Sequence, residues 1–128
     1  MILELYRQLK EIVDSEYSDI TEESEIIFSY AGRARKLRLK LIDNTFIDIW
    51  HSQEGEYSFH WEQRHIRNTI YRHDNAPHKK WSTIKTFPKH CHDGIQGNVT
   101  ESNLSSNPND ALREFLAIVR KKMIELKR

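Results

Sequence analysis

The sequence predicts an α+β fold, an antiparallel meander of about five strands flanked by an N-terminal and a C-terminal helix. Three observations carry this reading. Apolar residues recur at helical spacing at both ends of the chain. Apolar and polar side chains alternate through its middle, and short turn signals separate the alternating runs. The 128 residues suit one domain, spanning 1–128, and can bury a core without disulfide or metal staples.

At the N-terminus Ile2, Leu5, Tyr6, Leu9, Ile12 and Val13 share one helical face, and this helix is expected to end near Glu16. An acidic turn should follow, to Glu25, with the first strand over Glu25–Tyr30. In Lys36–Ile42, Leu37, Leu39 and Leu41 alternate with Lys36, Arg38 and Lys40, so one strand face is apolar and the other basic. Asp43-Asn44 reads as a tight turn. Thr45–His51 then places Phe46, Asp48 and Trp50 opposite Ile47 and Ile49. Gln53-Glu54-Gly55 marks a second hairpin, and Tyr57, Phe59 and Trp61 share a face of the next strand. Thr69–His73 reads as a fifth strand. From Asp74 to about Ser106 the periodicity is lost, and the segment reads as a long loop, ordered over 74–94 and mobile over 95–106. Asn107 then caps a helix with Pro108 at its first position. Leu112, Phe115, Leu116, Val119, Met123 and Leu126 form its apolar stripe.

Composition narrows the function classes. Charged residues are 30% and apolar ones 38%, a globular balance. No apolar run approaches the roughly 20 residues of a membrane span. The N-terminal stretch has acids and amphipathic spacing where a signal peptide has a basic and then an apolar region. One cysteine, Cys91, suits a reducing compartment, so a cytoplasmic location is expected. Net charge is only +1, but Arg33, Arg35, Lys36, Arg38 and Lys40 fall within eight residues free of acids, whereas acids gather over 16–25. Such polarity can form one basic face. The four glycines form no phosphate-binding loop, and no nucleophile elbow is present.

Chemistry concentrates in YRHDNAPHKKWSTIKTFPKHCHDG, Tyr71 to Gly94, which holds four of the seven histidines. Histidine gives and takes protons near neutral pH. Lysine and arginine neutralise charge on a phosphate, and aromatic rings stack on unpaired bases. Together these are the ingredients for binding or cutting single-stranded RNA. His73, His78, His90 and His92 are the candidates for proton transfer, with Asp74 or Asp93 orienting an imidazole. Arg72, Asn75, Lys79, Lys80, Trp81 and Lys89, with Arg35 and Arg38 from the basic strand, are the candidates for substrate binding. This scheme needs no metal or other cofactor. Two alternatives remain open. His90 and His92 lie on one face of an extended segment, and His73, Asp74 or His78 could complete a metal site for a metal-dependent enzyme. The segment could also bind nucleic acid or protein without catalysis. Cys91 would face away from the histidine pair.

The same segment resembles the TumE family of toxins from toxin–antitoxin systems. The resemblance rests on Tyr71-Arg72-His73-Asp74-Asn75-Ala76-Pro77-His78, then Thr86-Phe87-Pro88, then His90-Cys91-His92-Asp93-Gly94. It implies a cytoplasmic toxin over 1–128 whose partner is a helix-turn-helix antitoxin encoded beside it. By analogy with other small toxins, it also implies RNA as the target. Lys89 and Cys91 depart from the pattern, where further histidines are expected.

Overall fold

A computed structural model describes residues 1–127. Its order is α1 (Ile2–Glu16), β1 (Thr21–Phe28), β2 (Ala34–Leu41), β3 (Phe46–His51), β4 (Tyr57–Glu62), the one-turn helix α2 (Arg64–Arg67), β5 (Ile70–Asp74), a 3₁₀ turn (Lys79–Trp81), β6 (His90–Gly94), β7 (Val99–Glu101) and α3 (Pro108–Leu126). The strands form one sheet in sequence order, with every neighbouring pair antiparallel. The expected meander between two helices is therefore present, with seven strands in place of about five.

Both long helices cover the same face of the sheet. Tyr6, Leu9, Ile12 and Val13 of α1 and Leu112, Phe115, Leu116, Val119 and Met123 of α3 meet Leu37, Leu39, Leu41, Ile47, Ile49, Phe59 and Trp61 in one buried cluster. Burying a side chain of this size contributes on the order of 1.5–3 kcal/mol, so this layer holds the sheet in register. The alternation in β2 comes out as expected, with all three leucines buried and Lys40 exposed. Lys36 and Arg38 are half-buried, because both bond to Asp48 on β3.

Local chemistry sets the turns. Asn44 takes a left-handed φ of 69°, and Asp43 Oδ1 accepts the Thr45 N–H, closing the β2–β3 turn. Gly55, at φ 90°, allows the β3–β4 turn. Asn107 caps α3 by accepting the Asp110 N–H, with Pro108 at its first position.

Three expectations need correction. First, β1 begins at Thr21 and ends at Phe28, so the acidic turn is only a few residues long. Second, the region read as aperiodic loop contains β6 and β7. Third, 95–106, expected to be mobile, carries β7 and anchors itself through buried Ser102 and Leu104. The short α2 was not foreseen.

Candidate functional site

The sheet has a second face, which the long helices leave open. Strict alternation decides what stands on it. Cross-strand register aligns Arg38, Asp48, His60, Arg72 and His92 in one row across five strands. The neighbouring row carries Trp50, Ser58, Asp74 and His90. Residues that are scattered over 38–92 in the chain thus become neighbours.

Where β5 and β6 pair, four of them meet. Asp74 Oδ1 lies 3.0 Å from His90 Nε2, and Asp74 Oδ2 lies 3.7 Å from His92 Nε2. Arg72 Nε donates to Asp74 Oδ2 at 2.9 Å, and the Ala76 N–H donates to Oδ1 at 3.0 Å. His90 Nδ1 is 2.9 Å from the Pro88 carbonyl, and His92 Nδ1 is 2.7 Å from that of Gln96. The two imidazole centroids are 4.9 Å apart. Trp81 of the 3₁₀ turn sits against the pair, 6.3 Å from His90 and 6.0 Å from His92. The cluster is well shielded: Asp74 is 3%, His90 2% and His92 7% exposed. Burial lowers the His92 pKa from its ordinary value; the Gln96 carbonyl and the Asp74 charge oppose that shift only in part.

Arg72 links this cluster to the surface. Its partly exposed side chain lines a cleft of about 1150 Å³ over β1–β4, together with Arg33, Arg35, Lys36, Arg38, His60 and Arg64. Phe28, Tyr30 and Trp50 border the same cleft and expose their rings. Asp48 and Glu62 are the acids of the lining. Burial opposes ionisation of Asp48, but bonds from Arg38 and Lys36 outweigh it and hold the carboxylate below its usual range. Glu62 is held down to about 2, chiefly by hydrogen bonds from Arg64. Both acids are therefore ionised at neutral pH, and the cations still outnumber them.

The other residues singled out from sequence fall elsewhere. His73, expected beside His90 and His92, faces the helices, because one step along β5 reverses the side chain. Its Nδ1 is 2.6 Å from Ser102 Oγ and its Nε2 is 2.8 Å from the Tyr71 hydroxyl. Burial holds its pKa down to about 4, so this imidazole is neutral at pH 7. His78 is exposed, and its Nδ1 accepts the Lys80 N–H at the 3₁₀ turn. Asp93 is an exposed residue on the His73 side of β6. Asn75 ties the β3–β4 turn, accepting from Tyr57 N and donating to the Gly55 carbonyl. Lys89 Nζ donates to the Leu104 carbonyl and to Ser106 Oγ, bracing the segment before α3. Lys79 and Lys80 are exposed on the turn that carries Trp81. Arg35 is exposed in the cleft, and Arg38 makes a two-point bond to Asp48. Cys91 points into the core as expected of its position, and burial pushes its thiol up to about 11.

Sequence reading missed His60 and Glu62. His60 Nε2 lies 3.2 Å from Glu62 Oε1, and both line the cleft beside Arg72. The signal was available, since Tyr57, Phe59 and Trp61 read as the buried face and so leave Ser58, His60 and Glu62 to the other.

Among the described residues no helix is long and apolar enough to cross a membrane. No curated protein and no solved structure matches the chain. The family model described as Toxin TumE matches residues 5–123, and this span contains most of α1, all seven strands and most of α3. The chain belongs to the TumE toxin family, which makes it the toxin of a toxin–antitoxin system and implies an antitoxin as its partner.

Proposed function

We propose that this toxin acts on single-stranded RNA, binding it along the open sheet face and cleaving it at the Arg72–Asp74–His90–His92 cluster. The observation that carries this reading is the cluster's position. Two imidazoles and a guanidinium converge on one carboxylate at the end of a basic cleft bordered by exposed aromatic rings. Backbone phosphates suit the arginines and lysines of the cleft, and unpaired bases suit Phe28, Tyr30 and Trp50.

The reaction uses the substrate's own 2′-hydroxyl. His92, whose Nε2 is the less closely held of the two, takes the hydroxyl proton as the 2′-oxygen attacks phosphorus. Arg72 neutralises charge on the pentavalent intermediate. His90, between Asp74 and the Pro88 carbonyl, returns a proton as the phosphorus–5′-oxygen bond breaks. The products are a 2′,3′-cyclic phosphate and a 5′-hydroxyl. The partner we propose is a helix-turn-helix antitoxin that masks the basic face, an encounter that charge would speed.

Incubating the purified toxin with total cellular RNA tests this reading directly. Cleavage leaving cyclic phosphate ends, surviving a chelator and lost in Arg72→Ala and His92→Ala, is the expected result. Folded wild-type protein that binds RNA without cutting it would transfer the case to a non-catalytic binding toxin.

A further inference from the structure

The two imidazoles of the cluster are fixed in the same way. A carbonyl oxygen can only accept, so the contacts with Pro88 and Gln96 place a proton on Nδ1 of both His90 and His92. That leaves Nε2 of each ring as the atom directed at Asp74, free to carry either a proton or a metal ion. One ligating atom from each of Asp74, His90 and His92 lies within 4.8 Å of the other two. A cation, either a proton on Nε2 or a metal ion between the donors, makes the 3.0 Å approach of Asp74 to His90 attractive.

The surroundings match what a metal ligand set needs. Metal-binding histidines donate their outer N–H to a carbonyl or carboxylate, which fixes both tautomer and ring orientation. Both rings here do so. The carboxylate is oriented as well, with Arg72 on Oδ2 and the Ala76 N–H on Oδ1. The ligands stand on paired strands, Asp74 directly opposite His90 and His92 two residues further along the same face. Among the described residues no other group of histidine, cysteine and acidic side chains converges in this way.

We propose that Asp74, His90 and His92 form a binding site for one divalent transition-metal ion of the Zn²⁺ class. Two imidazoles and one carboxylate suit that ion, and three protein ligands leave a fourth position for water. The site is independent of the RNA reading but bears on it. An ion held on both Nε2 atoms occupies the lone pairs that proton transfer uses, so the loaded toxin is expected to lose ribonuclease activity.

The test reads metal and not RNA, which keeps the two proposals separable. Untagged full-length protein is treated with chelator, then titrated with Zn²⁺ by calorimetry and with Co²⁺ by visible absorption. One ion per chain is expected, with a raised melting temperature and a tetrahedral Co²⁺ spectrum. His90→Ala, His92→Ala and Asp74→Asn should each weaken binding by about tenfold or more. Cys91→Ser and His78→Ala should leave it unchanged. A wild-type chain that takes up no stoichiometric ion at micromolar Zn²⁺ overturns the proposal, whatever the variants do. So does uptake that persists in the folded His90→Ala/His92→Ala double variant.

Discussion

Strands β5 and β6 carry two different chemistries on their two faces. Toward the helices stand Tyr71, His73 and Cys91. Tyr71 stacks on Phe115 at 5.7 Å, His73 meets the same ring edge-on at 5.8 Å, and the Cys91 thiol is buried. Toward the open face stand Arg72, Asp74, His90 and His92, joined through one carboxylate. Histidine occurs on both sides, and its neighbours decide its role. His73 bonds a hydroxyl on each nitrogen and belongs to the packing. His90 and His92 bond a carbonyl on one nitrogen and direct the other at an anion, which is an arrangement for handling a proton or a metal ion.

The largest contrast between the two faces should be in stability, and β2 shows it most simply. Leu39→Ala empties a fully buried position and should cost roughly 2–5 kcal/mol in chemical denaturation. Arg38→Ala on the adjacent position loses a half-exposed pair with Asp48 and should cost about 1 kcal/mol or less. Equal costs would break the assignment of the faces.

Acid should act on the covered face next. His51 packs against Tyr57 and Phe59, its Nε2 has no hydrogen-bond partner, and its backbone meets the Tyr6 hydroxyl of α1. Burial holds its pKa down to about 4, and the Tyr57 hydroxyl beside it is pushed up to about 12 and stays neutral. The unfolded chain takes up the His51 proton from about pH 6.5 downward, whereas the folded chain does so only near 4. The His51 contribution should therefore be full above pH 6.5 and fall by about 1.4 kcal/mol per pH unit through that window, about 3 kcal/mol in all, and His73, also held near 4, adds a slope of the same sign. Denaturation across pH 4–7 should show a slope at least this steep in the wild type and one shallower by about 1.4 kcal/mol per pH unit in His51→Phe.

Smaller effects sharpen the comparison at its margins. Asn107→Ala removes the α3 cap and should cost about 1 kcal/mol, read as a lower melting temperature. Arg33→Glu/Arg35→Glu, exposed positions on the cleft, should leave the fold nearly as stable but slow association with RNA, most clearly at low salt. Association kinetics that do not respond would move the nucleic-acid surface away from the cleft.

The sequence conveyed the covered face far better than the open one. Strands β2–β4 are legible because leucine, isoleucine and aromatic residues alternate with charge and end in Asp43-Asn44 and Gln53-Glu54-Gly55. β6 escaped notice because His90-Cys91-His92-Asp93-Gly94 has no apolar alternation, and polar partners satisfy its open face. β7 has three residues and gains its identity only from pairing with β6. The histidine cluster was legible as composition but not as geometry. The strand reading of Thr69–His73 already separated His73 from Arg72, yet grouping histidines by segment put His73 with His90 and His92. The partnership of Asp74 with His90 depends on a β5–β6 pairing across a 15-residue excursion, 75–89, which no local pattern encodes.

The central claim is that the open face at β5 and β6 is the working face of the toxin. Growth arrest on expression, measured beside the melting temperature of each purified variant, tests it most directly. Asp74→Asn and His92→Ala should abolish arrest while shifting the melt by only a few degrees. His73→Gln, on the covered face, should lower the melt and leave the remaining folded protein toxic. Full toxicity in both open-face variants, or its loss in a His73→Gln protein that is still folded, would contradict the account.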